Sequence, residues 1–242
     1  IDSDTQKLNS KIKVGKETMK SGWGASAFFH RHLLENTRGT KLFFINPLAL
    51  LYRVIIFIYM LIMRSSSDGP EMLMVMGITM IVILNSVVYG GGKTVLEFNK
   101  PYIFMVPESA SSKLFYCLLA DLPEIVFDSF LCAAIIMYFA KVKIFVALGV
   151  FILMIVFDYL CELVALIELR ICRGLGRFLL MFVRYILVYA ILFIALIPAI
   201  VVYNMFASLM AFVIAMSISG VLLIAILLLA FQNVIDKVEY NS

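Results

Sequence analysis

Six stretches of this chain, at about 43–63, 71–89, 123–140, 144–167, 178–203 and 207–231, stay apolar for roughly the 20 residues that a helix needs to cross a ~30 Å hydrocarbon core. A helix on the surface of a soluble protein carries an apolar stripe and a polar face. These blocks have no polar face, so the solvent around them is lipid. In lipid the backbone must satisfy its own hydrogen bonds, which leaves a helix as the form for each block. The composition agrees: 63% of residues are hydrophobic and 15% charged, against ~45–50% apolar in soluble domains. The expected fold class is all-α integral membrane, with six transmembrane helices.

Prolines punctuate the pattern. Asn46-Pro47, Gly69-Pro70 and Leu122-Pro123 each place a proline where a first-turn N–H has no partner anyway, so each is expected to open a span. Basic residues set the orientation, because cytoplasmic loops hold the excess of Lys and Arg. One side has Lys7, Lys11, Lys13, Lys16, Lys20, Arg31, Arg38, Lys41, Lys93, Lys100, Lys113, Arg170, Arg173, Arg177 and Lys237; the other has Arg64, Lys141 and Lys143. That imbalance predicts a multi-pass protein of the cell membrane with both termini in the cytoplasm. The chain opens on Ile1 without a signal peptide, which reads as a piece of something longer.

Outside the spans, residues 1–25 form a basic linker and 232–242 a cytoplasmic tail. Residues 26–42 read as an amphipathic helix lying in the membrane interface. Phe29 and Leu33 fall on one side, with Arg31, Glu35 and Arg38 on the other, spaced for ion pairs along the wet face. An ordinary juxtamembrane linker is the plainer alternative. The long connection 90–122 mixes large apolar side chains with charges and contains Pro101 and Pro107. Such a loop packs against something: a cytoplasmic partner, with Glu97, Phe98, Lys100, Tyr102, Phe104 and Met105 as the docking element, or its own bundle. Ser109 is expected to cap a helix leading into the third span.

Several motifs tempt and fail. Gly90-Gly91-Gly92-Lys93-Thr94 resembles a phosphate-binding loop, but the position five before Gly92 is Val87, inside a span, where the motif needs glycine. The glycines are expected to end the second span, and the chain to carry no ATPase of its own. His30 and His32 point to different helix faces, so no metal site is expected. Ser217-Ile218-Ser219-Gly220 has no histidine in any span to serve as base, and reads as small residues that let helices approach. Cys117, Cys132, Cys161 and Cys172 lack C-x-x-C spacing and read as small buried hydrophobes. No catalytic constellation emerges.

Charges within spans are expensive and therefore informative. The six are Arg53, Glu124, Asp128, Asp158, Glu162 and Arg184. Glu124 and Asp128 share a helix face, as do Asp158 and Glu162. The group fits a wet transport path, or a network of Arg–carboxylate pairs holding helices together, with Arg53 and Arg184 favouring the network. Pro198, followed by Val201-Val202-Tyr203-Asn204-Met205-Phe206, predicts a kink or short re-entrant turn at the outer end of the fifth span.

The segment GWGASAFFHRHLLEN at residues 22–36, Phe43-Phe44 ahead of the first span, and the PESASSKL stretch in the long loop resemble the membrane subunits of bacterial ABC exporters, the ABC-2-type permeases. The resemblance implies a six-helix layout like that of type V exporters, with an N-terminal interfacial helix. It further implies a separate ABC ATPase docked on the 90–122 loop and the N-terminal helix, carrying the ATP and Mg that this chain does not bind. A second permease half or copy would complete the transporter, with the chain itself the C-terminal half of a longer permease. The cargo, a peptide among the options, would move outward; lipid is the other partner, and no nucleic acid is implied. The runner-up is an ion-coupled secondary transporter using Asp158 and Glu162 as proton sites, and a membrane enzyme stands third.

Overall fold

The computed structural model describes residues 24–27, 29–31, 47–65, 69–89, 108–171 and 177–231. Among them run six helices: α1 (Pro47–Met63), α2 (Pro70–Tyr89), α3 (Ala110–Ala140), α4 (Ile144–Ile171), α5 (Arg177–Phe206) and α6 (Leu209–Phe231). The described residues contain no strand. Four helices, α3 to α6, are long and apolar enough to cross a membrane; the apolar parts of α1 and α2, Ala49–Met63 and Pro70–Ser86, are shorter.

Pro47 and Pro70 are the first residues of α1 and α2, where their missing N–H costs nothing. Pro123 is not a starter. Helix α3 begins at Ala110 behind the Ser109 cap, whose Oγ accepts from the Ser112 N–H at 3.3 Å, and runs through Pro123 to Ala140. Residues 110–122, expected in the long loop, are therefore helix. The fifth helix likewise continues through Pro198 to Phe206, with no re-entrant turn, and the chain reverses over Ala207 (φ 46°) and Ser208 into α6.

A proline inside a helix leaves the carbonyl four residues back without its donor. At both interior prolines a hydroxyl from a neighbouring helix stands one residue away from that carbonyl. Tyr159 of α4 donates to the Leu118 carbonyl at 3.3 Å, next to Leu119. Ser219 of α6 lies 2.9 Å from the Ala195 carbonyl, next to Ile194, and equally far from its own helix's Met216 carbonyl. Neighbours that supply polar contacts near freed backbone are what permit proline within a bundle in lipid.

Helix α4 is the hub, packing on α2, α3, α5 and α6, while α5 and α6 form a hairpin that leans on α4. The main core gathers Ile56, Met60, Met74, Ile81, Ile125, Ile136 and Met154 from α1 to α4. Two glycines seat α6 against α4: Gly149 of α4 faces Val213, and Gly220 of α6 faces Val156. A Cβ added at Gly220 would stand 2.5 Å from Val156 Cγ1, and valine has little rotamer freedom to withdraw. Gly220→Ala is expected to cost about 1–3 kcal/mol by overpacking, read as an earlier unfolding midpoint in detergent, and Gly220→Ala/Val156→Ala to recover part of the loss. Equal midpoints for Gly220→Ala and the parent chain would mean that α6 does not sit this close.

The surface inverts that of a water-soluble protein. Phe193 and Leu229 are 64% and 68% exposed, while Arg53, Asp128, Asp158 and Glu162 are buried. Exposed apolar surface on this scale is unstable in water and stable in lipid.

A second, smaller core lies at the start of α3. Ala25 packs there with Ala110, Leu114, Cys117, Leu118 and Leu163, and residues 26, 27 and 29–31 are helical. Gly24, at φ 59°, makes the turn into this stretch, and any Cβ on it would collide with the Glu108 carboxyl.

Candidate functional site

The buried charges converge where α1, α2, α3 and α4 meet. Arg53 of α1 is the centre. Its Nε donates to Asp128 Oδ1 of α3 at 2.7 Å, its Nη2 donates to Asp128 Oδ2, and its Nη1 donates to Asn85 Oδ1 of α2 at 2.7 Å. Asn85 hands the chain on, its Nδ2 donating to Asp158 Oδ1 of α4 at 2.6 Å. Ser129 Oγ of α3 donates to the other Asp158 oxygen at 3.4 Å. Four helices are thus tied through five side chains, all of them buried.

Helix geometry explains the convergence. Arg53, Asn85, Asp128 and Asp158 lie ten, fifteen, twelve and fourteen residues from the helix ends at Met63, Pro70, Ala140 and Ile144, hence about 15–22 Å from that end of the bundle. In a ~30 Å core this is at or just past the middle. There, a guanidinium gripping a carboxylate with two parallel bonds is the strongest kind of side-chain contact available. A lone charge at that depth has no water to turn to.

Glu124 and Glu162 lie one helical turn from Asp128 and Asp158, away from the Met63 end of the bundle, and are also buried, as are Asp121 and Lys113. Arg184 is half-buried on α5, the helix beyond α4. Phe29 and Arg31 are half-buried in the helical stretch near the start of α3, the Phe29 ring edge-on to His30 with centroids 5.5 Å apart. Leu33, Glu35 and Arg38, and the loop residues Glu97, Phe98, Lys100, Tyr102, Phe104 and Met105, lie outside the described residues.

Two members of the network, Asn85 and Ser129, were not among the sequence-based candidates, since a count of formal charges passes over neutral side chains. The available signal was Asn85-Ser86 interrupting an apolar run, because polar residues between membrane helices bind them together.

A network with one cation, two carboxylates and an amide, sealed from solvent on all sides, is suited to holding helices in register and releasing them together. Comparison with known proteins decides the class: the family described as Putative ABC exporter matches residues 2–239. The chain belongs to that family. It is accordingly a multi-pass membrane component of ABC exporter type, part of a transport system rather than an enzyme, and such exporters in general work with an ATPase. No curated protein and no solved structure matches this ABC exporter component.

Proposed function

We propose that the chain is the permease of an ABC exporter, crossing the membrane six times with both termini in the cytoplasm and moving a substrate outward. The family match over nearly the whole chain carries this reading. The ATPase is a separate polypeptide holding ATP and Mg. It docks on the 90–122 segment, of which Ala110 onward belongs to α3, and on the N-terminal helix. A second permease half or copy completes the pathway, arranged in the ABC-2 layout of type V exporters.

In this reading α1 and α2 are spans despite their shorter apolar parts, because helices of 17 and 20 residues reach about 25–30 Å. Support for the orientation comes from the basic residues, which crowd the connections at one end. The polar network sits on the joint between α1–α2 and α3–α4, so a change between inward-facing and outward-facing states has to exchange or carry those bonds. An ion-coupled carrier using Asp158 and Glu162 draws no support from the family.

Charge reversal separates the two faces. Lys100→Glu is expected to weaken copurification of the ATPase several-fold, while Lys141→Glu, at the α3–α4 turn, leaves it unchanged. Equal loss from both would overturn the orientation.

A further inference from the structure

A groove of about 340 Å³ opens between the start of α2 and the α5–α6 turn, lined by Glu71, Met72, Val75, Tyr203, Leu209 and Phe212. It exists because α2 and the α5–α6 hairpin both lean on α4. Its volume falls within the roughly 300–1,000 Å³ of ordinary small-molecule sites. Five of the six residues are apolar or aromatic, and Glu71 carries the only formal charge among them.

Two features of the lining favour a positive charge. Glu71 stands at the lip of the groove, exposed on the first turn of α2. The rings of Tyr203 and Phe212 meet edge to face at 6.2 Å, and aromatic faces attract cations, more strongly where water is scarce. The helix ends oppose this only in part. The N-termini of α2 and α6 each bring about half a positive charge and the C-terminus of α5 about half a negative one. Their sum, about half a positive charge, is outweighed by the full charge of one carboxylate, and the basic residues of this face, Arg64, Lys141 and Lys143, are not among the lining residues.

We propose that this groove binds an amphiphilic cation, an apolar body seated against Val75, Leu209 and Phe212 with its positive group at Glu71, and that such molecules are the exporter's cargo on its way out. The assignment rests on the exporter reading, since the orientation given above puts the groove at the outer face. The occupant is a free molecule, not the headgroup of a bilayer lipid.

Tetraphenylphosphonium and tetraphenylborate form the test, being nearly identical in size and apolarity and opposite in charge. Equilibrium binding of each is measured to the full chain in phosphatidylcholine nanodiscs, without ATPase or nucleotide, after subtracting protein-free discs. Saturable binding of the phosphonium is expected at one site per chain, with none for the borate. Glu71→Gln should weaken it at least tenfold and Val75→Trp, which fills the groove, should abolish it. Both positions are exposed, so the unfolding midpoint of each variant should match the parent. Comparable saturable binding of both ions, or phosphonium binding that Glu71→Gln leaves intact, overturns the proposal. Absence of saturable phosphonium binding overturns it as well, since choline headgroups in excess would then hold the groove. Because no ATPase is present, failure of the exporter reading leaves these binding results untouched and is scored separately by ATPase copurification.

Discussion

Arg53→Met is expected to destabilise the chain by about 3–5 kcal/mol, the range for removing one partner of a buried ion pair. The guanidinium binds both oxygens of Asp128 and the amide oxygen of Asn85. Its loss takes the paired cation from a buried carboxylate and frees Asn85 from the link between α1 and α4. Against a total stability of ~5–15 kcal/mol, that loss threatens the fold. Arg53→Met/Asp128→Leu should be much less harmful than the sum of its single changes, because replacing both partners with apolar groups leaves no orphaned charge. Denaturation of purified variants in mixed micelles checks both. A single variant within ~1 kcal/mol of the parent would mean that water reaches Asp128 and that the network is part of an open path.

Scrambling Glu97 to Met105 is expected to abolish copurification of the ATPase, a loss of tenfold or more, while the chain keeps its unfolding midpoint. The midpoint is spared because α3 is held at its own start: Ser109 caps it, Ser112 Oγ donates to Glu108 at 3.0 Å, and Ala25 packs on Ala110 and Leu114. An impermeant thiol label offers a second check. A cysteine placed at Lys100 should react in inverted vesicles and stay silent in intact cells; labelling from outside would sink the docking model and the orientation together.

Much of this architecture was legible because lipid imposes simple rules. A run of apolar residues long enough to cross has to be helical, so each of the six helices could be recognised and most of their ends placed, the start of α3 at Ala110 excepted. Pro47 and Pro70 opened their helices as sequence chemistry predicts. Pro123, expected to open a span, lies inside α3, and Pro198, expected to kink the fifth span or begin a re-entrant turn, lies inside α5; the hydroxyls near them, of Tyr159 and Ser219, come from helices far along the chain. Local sequence carries no sign of such a neighbour. The intramembrane charges could be named, yet which of them meet depends on contacts such as Arg53 with Asp128, 75 residues apart, that no helical period encodes. Asn85 was missed for a different reason: its contribution is an oriented amide, accepting from Arg53 and donating to Asp158, and a tally of charge does not see it.

The unbroken course of α3 has a mechanical consequence. Its 31 residues make a rod about 46 Å long, some 16 Å more than the hydrocarbon is thick. The surplus projects beyond the bilayer like the handle of an oar, with the Tyr159–Leu118 contact as its rowlock. From Ala110 to that contact is about 12 Å along the axis, and from there to Asp128 about 15 Å. A sideways displacement of the handle therefore reaches the carboxylate reversed in direction and about a quarter larger.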